Sequence, residues 1–195
     1  MMPRVVPSDH PEVPSLVEAA LETGQTIIFP TDTVYGVGGN PWDERVLDRV
    51  HSLKGRPSDR PFTLHLPSAQ QVARYARLDG RTQAAVERLL PGPYTLLLPA
   101  SAAAPPAAVS DGILGVRVPD HPFFLAILAA LRRPLFGTSV NVSGERPLSE
   151  INEIIDRFSS VDLIFVGPVG TAASTILDLT VDPARVVRGV RPEGL

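Results

Sequence analysis

A hydroxyl-rich turn, Pro30-Thr31-Asp32-Thr33-Val34-Tyr35, closes an apolar run. About twenty residues later a cationic stretch, Lys54-Gly55-Arg56-Pro57-Ser58-Asp59-Arg60, leads straight into Phe62-Thr63-Leu64-His65-Leu66. Hydroxyls and cations gathered at strand ends are what a small anionic ligand requires of a binding site. The chain holds 18 Lys plus Arg, and Lys54 is its only lysine. A guanidinium grips carboxylate or phosphate with a planar fork, whereas an ammonium is a compact point charge that follows a moving charge. A solvated surface lysine is the plain alternative for Lys54.

Further along, Arg117 lies in Gly115-Val116-Arg117-Val118-Pro119, and Ser139, Asn141 and Ser143 alternate in one segment. Ser174-Thr175 and Arg188 come near the end. Arg117 and Arg188 each follow an apolar strand pattern, where a long charged side chain is costly unless it is partnered or faces solvent at a sheet edge. Ser139 and Asn141 put two polar groups on one strand face, or form a hydrogen-bonded turn. His65 alternates with Thr63, where a satisfied structural histidine is the commoner role. If these segments converge, their cations cradle a polyanion.

Several chemistries are excluded. With no cysteine there is no disulfide, thiolate metal site or cysteine nucleophile. The histidines at 10, 51, 65 and 121 lack metal-ligand spacing. The chain has no Walker-type phosphate loop, no Gly-x-Gly-x-x-Gly, no His-Glu-x-x-His and no Gly-x-Ser-x-Gly elbow. Gly36-Val37-Gly38-Gly39 is only a faint likeness of a phosphate loop. The residues alone therefore describe an anion-binding α/β domain.

The elements that must position these residues follow from periodicity. Residues 1–10 read as an extended lead-in. Apolar spacing predicts helices over Glu12–Thr23, from Asp43 to the Lys54 loop, near Ala69–Arg77, over Thr82–Leu90, over His121–Arg132, and from a Ser149 cap to about Phe158. Short β-branched or aromatic runs predict strands at Thr26–Phe29, Phe62–Leu66, Tyr94–Leu98, Leu114–Val118, Pro134–Gly137, Leu163–Val166, Thr175–Leu179 and Arg185–Arg188. Residues 100–111, rich in Ala and Pro, read as a surface loop. Alternation of strands and helices argues an α/β fold on a mixed, largely parallel sheet.

At 195 residues, 44% hydrophobic and 20% charged, the composition is that of one folded domain spanning 1–195. A net charge of −3 argues against a general nucleic-acid binder. No signal pattern and no apolar run of membrane-spanning length occurs, so the expectation is a cytoplasmic protein with no membrane partner.

In order along the chain, the combination of Pro30-Thr31-Asp32-Thr33-Val34-Tyr35-Gly36, Lys54-Gly55-Arg56-Pro57, Pro91-Gly92-Pro93-Tyr94-Thr95, Val116-Arg117-Val118-Pro119, Ser139-Val140-Asn141-Val142-Ser143-Gly144 and Ser174-Thr175 resembles the YrdC-like family of threonylcarbamoyl-AMP synthases. The resemblance implies a twisted open mixed sheet with flanking helices and a cationic concave face. It also implies ATP-dependent synthesis of L-threonylcarbamoyl-adenylate from L-threonine and bicarbonate, with release of pyrophosphate, for N6-threonylcarbamoyladenosine at position 37 of tRNA. Lys54, Arg56, Ser139 and Asn141 match the family's Lys-x-Arg and Ser-x-Asn signature and would be catalytic. Thr33, His65, Arg117, Ser139 and Ser174 would hold threonine and its carbamate. Lys54, Arg56, Arg60, Asn141, Ser149 and Arg188 would contact ATP, Arg60 standing where the family often has asparagine. Mg²⁺ would arrive on the nucleotide, with no protein metal site. A separate threonylcarbamoyl transferase complex would take the product, and weak contact with tRNA or other RNA is left open. Two readings compete: the carbamoyl-adenylate-forming domain of hydrogenase-maturation carbamoyltransferases, which lies within far longer chains, and a non-catalytic RNA-binding module, for which the acidic charge and few aromatics are a poor match.

Overall fold

The computed structural model describes residues 2–55, 61–131 and 133–193. In chain order its elements are β1 (Arg4–Pro7), α1 (Val13–Glu22), β2 (Ile27–Phe29), β3 (Gly36–Gly39), α2 (Glu44–Lys54), β4 (Thr63–His65), α3 (Val72–Tyr75), α4 (Gly80–Leu89), β5 (Tyr94–Pro99), β6 (Val109–Ser110), β7 (Ile113–Arg117), α5 (Pro122–Leu131), β8 (Leu135–Ser139), α6 (Ile151–Arg157), β9 (Leu163–Val166), β10 (Thr175–Asp178) and β11 (Arg185–Arg188).

The strands form one open sheet in the order β1-β9-β2-β3-β8-β4-β7-β5-β10-β11, with β6 paired to β7. It is mixed. The pairs β1/β9, β2/β9, β4/β7 and β5/β10 are parallel, and the pairs β2/β3, β3/β8, β4/β8, β5/β7, β6/β7 and β10/β11 are antiparallel. The expectation of a largely parallel sheet is thus corrected. Alternating helices and strands suggested parallel crossovers, but β3 and β8 run against both of their neighbours and β5 runs against β7.

Period-2 alternation assigns the two faces. Leu64, Leu96, Leu98, Leu114, Val116 and Leu177 point into a core closed by α3 and α4. Ile28, Val37 and Phe136 point the same way, into a core closed by α2 and α6. On the opposite face α1 and α5 cover only Phe29, Leu135, Leu163, Phe165 and their neighbours. The rest of that face, carrying Thr63, His65, Thr95, Gly115, Arg117, Gly137 and Arg188, is left as the wall of a cavity. Burying all of both faces would have required apolar residues at those positions.

Local signals explain most boundaries. Asp43 caps α2, accepting from the Arg45 N–H, and Gly55 ends it in the left-handed region at φ 55°. Asp79 and Thr82 form a reciprocal capping box at the start of α4, two residues before the expected start. The helix expected near Ala69–Arg77 divides into a 3-10 turn, Ala69–Gln71, and the short α3. The lead-in holds a strand, β1, and the loop 100–111 holds a 3-10 turn and β6. Ser149 does not cap α6; Glu150 occupies that position, with no side-chain cap bond. Gly36–Gly39 is no phosphate loop but a fully buried strand. A Cβ on Gly38 would sit 1.8 Å from the Phe136 carbonyl oxygen, so only glycine allows the β3–β8 approach.

Candidate functional site

The cavity on the open face has a volume of about 410 Å³ and gathers Thr33, His65, Arg117, Ser139, Ser174 and Arg188 along its wall. These come from the β2–β3 turn and from β4, β7, β8, the approach to β10, and β11. Residues distant in sequence meet because their strands are neighbours in the sheet.

Arg117 is the most constrained. It is 5% exposed, on a strand with neighbours on both sides, which rules out the exposed edge considered for it. Its Nη2 donates to Asp32 Oδ1 at 2.5 Å and its Nη1 to Thr33 Oγ1 at 2.7 Å. The neighbouring hydroxyls then have only one consistent direction. Thr31 donates to the Val34 carbonyl at 2.7 Å, so Thr33, 3.0 Å away, donates to Thr31 and accepts from Arg117. The fit is incomplete: Asp32 Oδ2 and Arg117 Nε are buried without partners. Burial lowers the pKa of Arg117 and the Asp32 carboxylate opposes that, while Arg188 lies close enough to push it further down.

His65 is buried, its pKa pushed down to about 3, first by burial and second by the charge of Arg117. It is therefore the neutral imidazole at neutral pH. Nδ1 lies 3.2 Å from the Thr63 carbonyl, which makes Nδ1 the protonated nitrogen and leaves Nε2 as an acceptor. Phe29 and Phe124 hold the ring edge-on, with centroids at 5.9 and 5.3 Å.

On the far wall Ser174 Oγ is 3.0 Å from Thr95 Oγ1. The Ser174 carbonyl accepts from Arg188 Nε at 3.1 Å and Nη2 at 2.8 Å. Arg188 does stand on the edge strand β11, yet its guanidinium is turned back over the cavity.

Lys54 and Asn141 lie behind this wall. Lys54 is 3% exposed, so it is no solvated surface lysine. Its ammonium donates to the Ser139 carbonyl at 2.5 Å and to the Asn141 carbonyl and Oδ1, both at 2.9 Å. Ser139 Oγ also donates to Asn141 Oδ1, at 2.6 Å, and Asn141 Nδ2 donates to the carbonyls of Val142 and Glu145. The Lys-x-Arg and Ser-x-Asn segments are thus tied together through Lys54.

Ser149 is exposed and lines a second cavity of about 370 Å³, beside Arg146, Val169 and Thr171; Val34 and Ala173 border both cavities. Arg56 and Arg60 lie outside the described residues. Two participants escaped the sequence reading: Asp32, the counter-charge of Arg117, and Thr95, the partner of Ser174. The signal for Asp32 was present, since a buried strand arginine needs an acid and Asp32 sits between the two threonines of the turn.

Comparison with known proteins gives concordant matches. A family model for the Sua5, YciO and YrdC proteins, described as "Telomere recombination", matches residues 19–189. The chain is 34% identical over 182 residues to a Pyrococcus abyssi protein named threonylcarbamoyl-AMP synthase, a match covering 90% of this chain and 52% of that one. The chain thus spans about half the length of that relative. Among solved structures, P. abyssi Sua5 complexed with L-threonine superposes with a TM-score of 0.86 at 29% identity, covering 96% of this chain and 57% of that one. Escherichia coli YciO superposes with a TM-score of 0.85 at 30% identity, covering 95% and 93%.

Proposed function

The chain belongs to the Sua5/YciO/YrdC family, and on that premise we propose that it is an L-threonylcarbamoyl-adenylate synthase, joining L-threonine, bicarbonate and ATP and releasing pyrophosphate. The supporting observation is the single cavity that gathers Thr33, His65, Arg117, Ser139 and Ser174, with Arg188 facing them. A small amino acid fits that volume, and a neighbouring structure was solved with L-threonine.

In this reading Arg117 offers hydrogen-bond donors to the threonine carboxylate, and Ser174 adds a hydroxyl. The Nε2 acceptor of neutral His65 takes a hydrogen bond from the threonine hydroxyl or amine. The free amine adds to the carbon of bicarbonate, water leaves, and a carbamate forms. A carbamate oxygen then attacks the α-phosphorus of ATP, the bond to the β-phosphate bridging oxygen breaks, and pyrophosphate departs. Both reactants are anions, so catalysis consists of screening and alignment and needs no covalent nucleophile. Lys54 and Asn141 act from behind, fixing Ser139 and the end of β8.

The nucleotide would span the second cavity, past Ser149, with Arg188, Arg56 and Arg60 on its phosphates. Mg²⁺ would be carried by those phosphates, as in other nucleotidyl chemistry. No described helix is long and apolar enough to cross a membrane. A cytoplasmic site of action, with a transferase complex carrying the product to tRNA, completes the proposal.

The test is pyrophosphate release from ATP, with L-threonine and bicarbonate each omitted in turn. Release that requires both supports the synthase; release that ignores threonine contradicts it.

A further inference from the structure

Asp32 does not line the cavity, yet it governs the residue that does. Its Oδ1 sits 2.5 Å from Arg117 Nη2, and the side chains of the pair are 6% and 12% exposed, Arg117 first. A carboxylate at that distance offsets much of the guanidinium's charge at longer range, although His65 beside it still feels Arg117. The described charged groups on the cavity wall are Arg117, Arg188 and, at the rim, Asp111. His65, the other titratable group beside Arg117, adds no charge at neutral pH. The hydrogen bonds of Arg117 to Asp32 and Thr33 also fix its plane, so its orientation and its charge are set by the same turn.

We infer that Asp32 sets the ligand selectivity of this cavity: by cancelling the charge of Arg117 while keeping its geometry, it favours a zwitterionic amino acid over a free multivalent anion. The inference deepens the proposed function and rests on reading the cavity as an amino-acid site. An uncompensated Arg117 beside Arg188 would repel the ammonium of a zwitterion and attract pyrophosphate, the product that must leave. With Asp32 in place, Arg117 offers donors to a carboxylate with less pull on a polyanion. Asp32 is thus a positioning and charge-compensating residue, acting through Arg117.

The experiment is calorimetric binding of L-threonine and, separately, of inorganic pyrophosphate to the full chain. Asp32→Asn keeps an acceptor for Nη2 and removes the charge. The expected result is on the order of tenfold tighter pyrophosphate binding, the sign and scale of one added positive charge in a partly buried site, with weaker threonine binding. A purely structural role would weaken both, and unchanged or weaker pyrophosphate binding overturns the inference. If Asp32→Asn does not fold, the double variant Asp32→Asn/Arg117→Gln decides. Loss of a pair that already cancels leaves pyrophosphate affinity near that of the parent, whereas a severalfold fall means that Arg117 acted as a free cation. Failure of the parent to bind threonine would count against the proposed function, and the pyrophosphate readings would still decide the role of Asp32.

Discussion

Arg117 and Lys54 show how much depends on single buried cations. Removing one partner of a buried ion pair costs about 3–5 kcal/mol because the other charge is stranded. Arg117→Gln should therefore lower the Tm markedly and abolish threonine binding, while Asp32→Asn/Arg117→Gln should be the more stable of the two variants. A double variant no more stable than Arg117→Gln in thermal melts would show that the pair is not coupled. Lys54→Ala strips the donor from the carbonyls of Ser139 and Asn141 and from Asn141 Oδ1. At about 1–3 kcal/mol per stranded buried acceptor, the Tm should fall by several degrees along with turnover; an unchanged Tm would contradict the tie between the two segments.

His65 makes a pH prediction at the same scale. Its folded pKa of about 3 lies below its ordinary 6.5, so the neutral form is the one the fold favours. Its stabilising contribution is complete above pH 6.5 and is lost as pH falls toward 3, with a slope of at most about 1.4 kcal/mol per pH unit. His65→Gln should flatten the loss of stability between those limits in denaturant titrations. Threonine affinity between about pH 5 and 8 should show no step that His65→Gln removes. The residue types of the candidate site were legible in the sequence; their pairing was not. An alternating strand says that Arg117 is inward or outward, and only the neighbouring turn supplies Asp32 and Thr33.

The elements were mostly legible because the helices here carry apolar stripes and, at Asp43, a cap; the Asp79 capping box went unread, and with it the first two residues of α4. What escaped were β1, β3 and β6. β3 and β6 lack a strong β signal: β3 is Gly-Val-Gly-Gly, glycine-rich because the sheet is crowded there, and β6 is two residues long. β1, Arg-Val-Val-Pro, carries the same Val-Val pair as β11, but Pro3 and Pro7 made it read as an extended lead-in. The same crowding gives a test. A Cβ on Gly137 would lie 2.9 Å from both His65 Cε1 and Phe29 Cζ. Gly137→Ala should destabilise by about 1–3 kcal/mol and weaken threonine binding by displacing the imidazole; a variant with parental Tm and affinity would mean that the two strands yield freely. Ser149→Ala is the opposite case. Exposed and making no cap bond, Ser149 should alter stability by less than about 0.5 kcal/mol, and its loss should appear only as a raised KM for ATP.

At the scale of the molecule, the sheet is covered by helices on one face and left partly bare on the other, and the bare half is where the polar residues of the sequence collect. That asymmetry explains why Thr63, His65, Thr95 and Arg117 interrupt otherwise apolar strands: each points into the cavity, while Leu64, Leu96 and Val116 beside them fill the core. The sheet order itself was not readable, because strand neighbours such as β3 with β8 are joined by contacts about a hundred residues apart. The most direct measurement is mass analysis of the nucleotide product formed from ATP, L-threonine and isotopically heavy bicarbonate. The expected result is an adenylate bearing both the threonine and the heavy carbon, formed with pyrophosphate. An adenylate of threonine without the heavy carbon, or no threonine-dependent adenylate at all, would contradict the account.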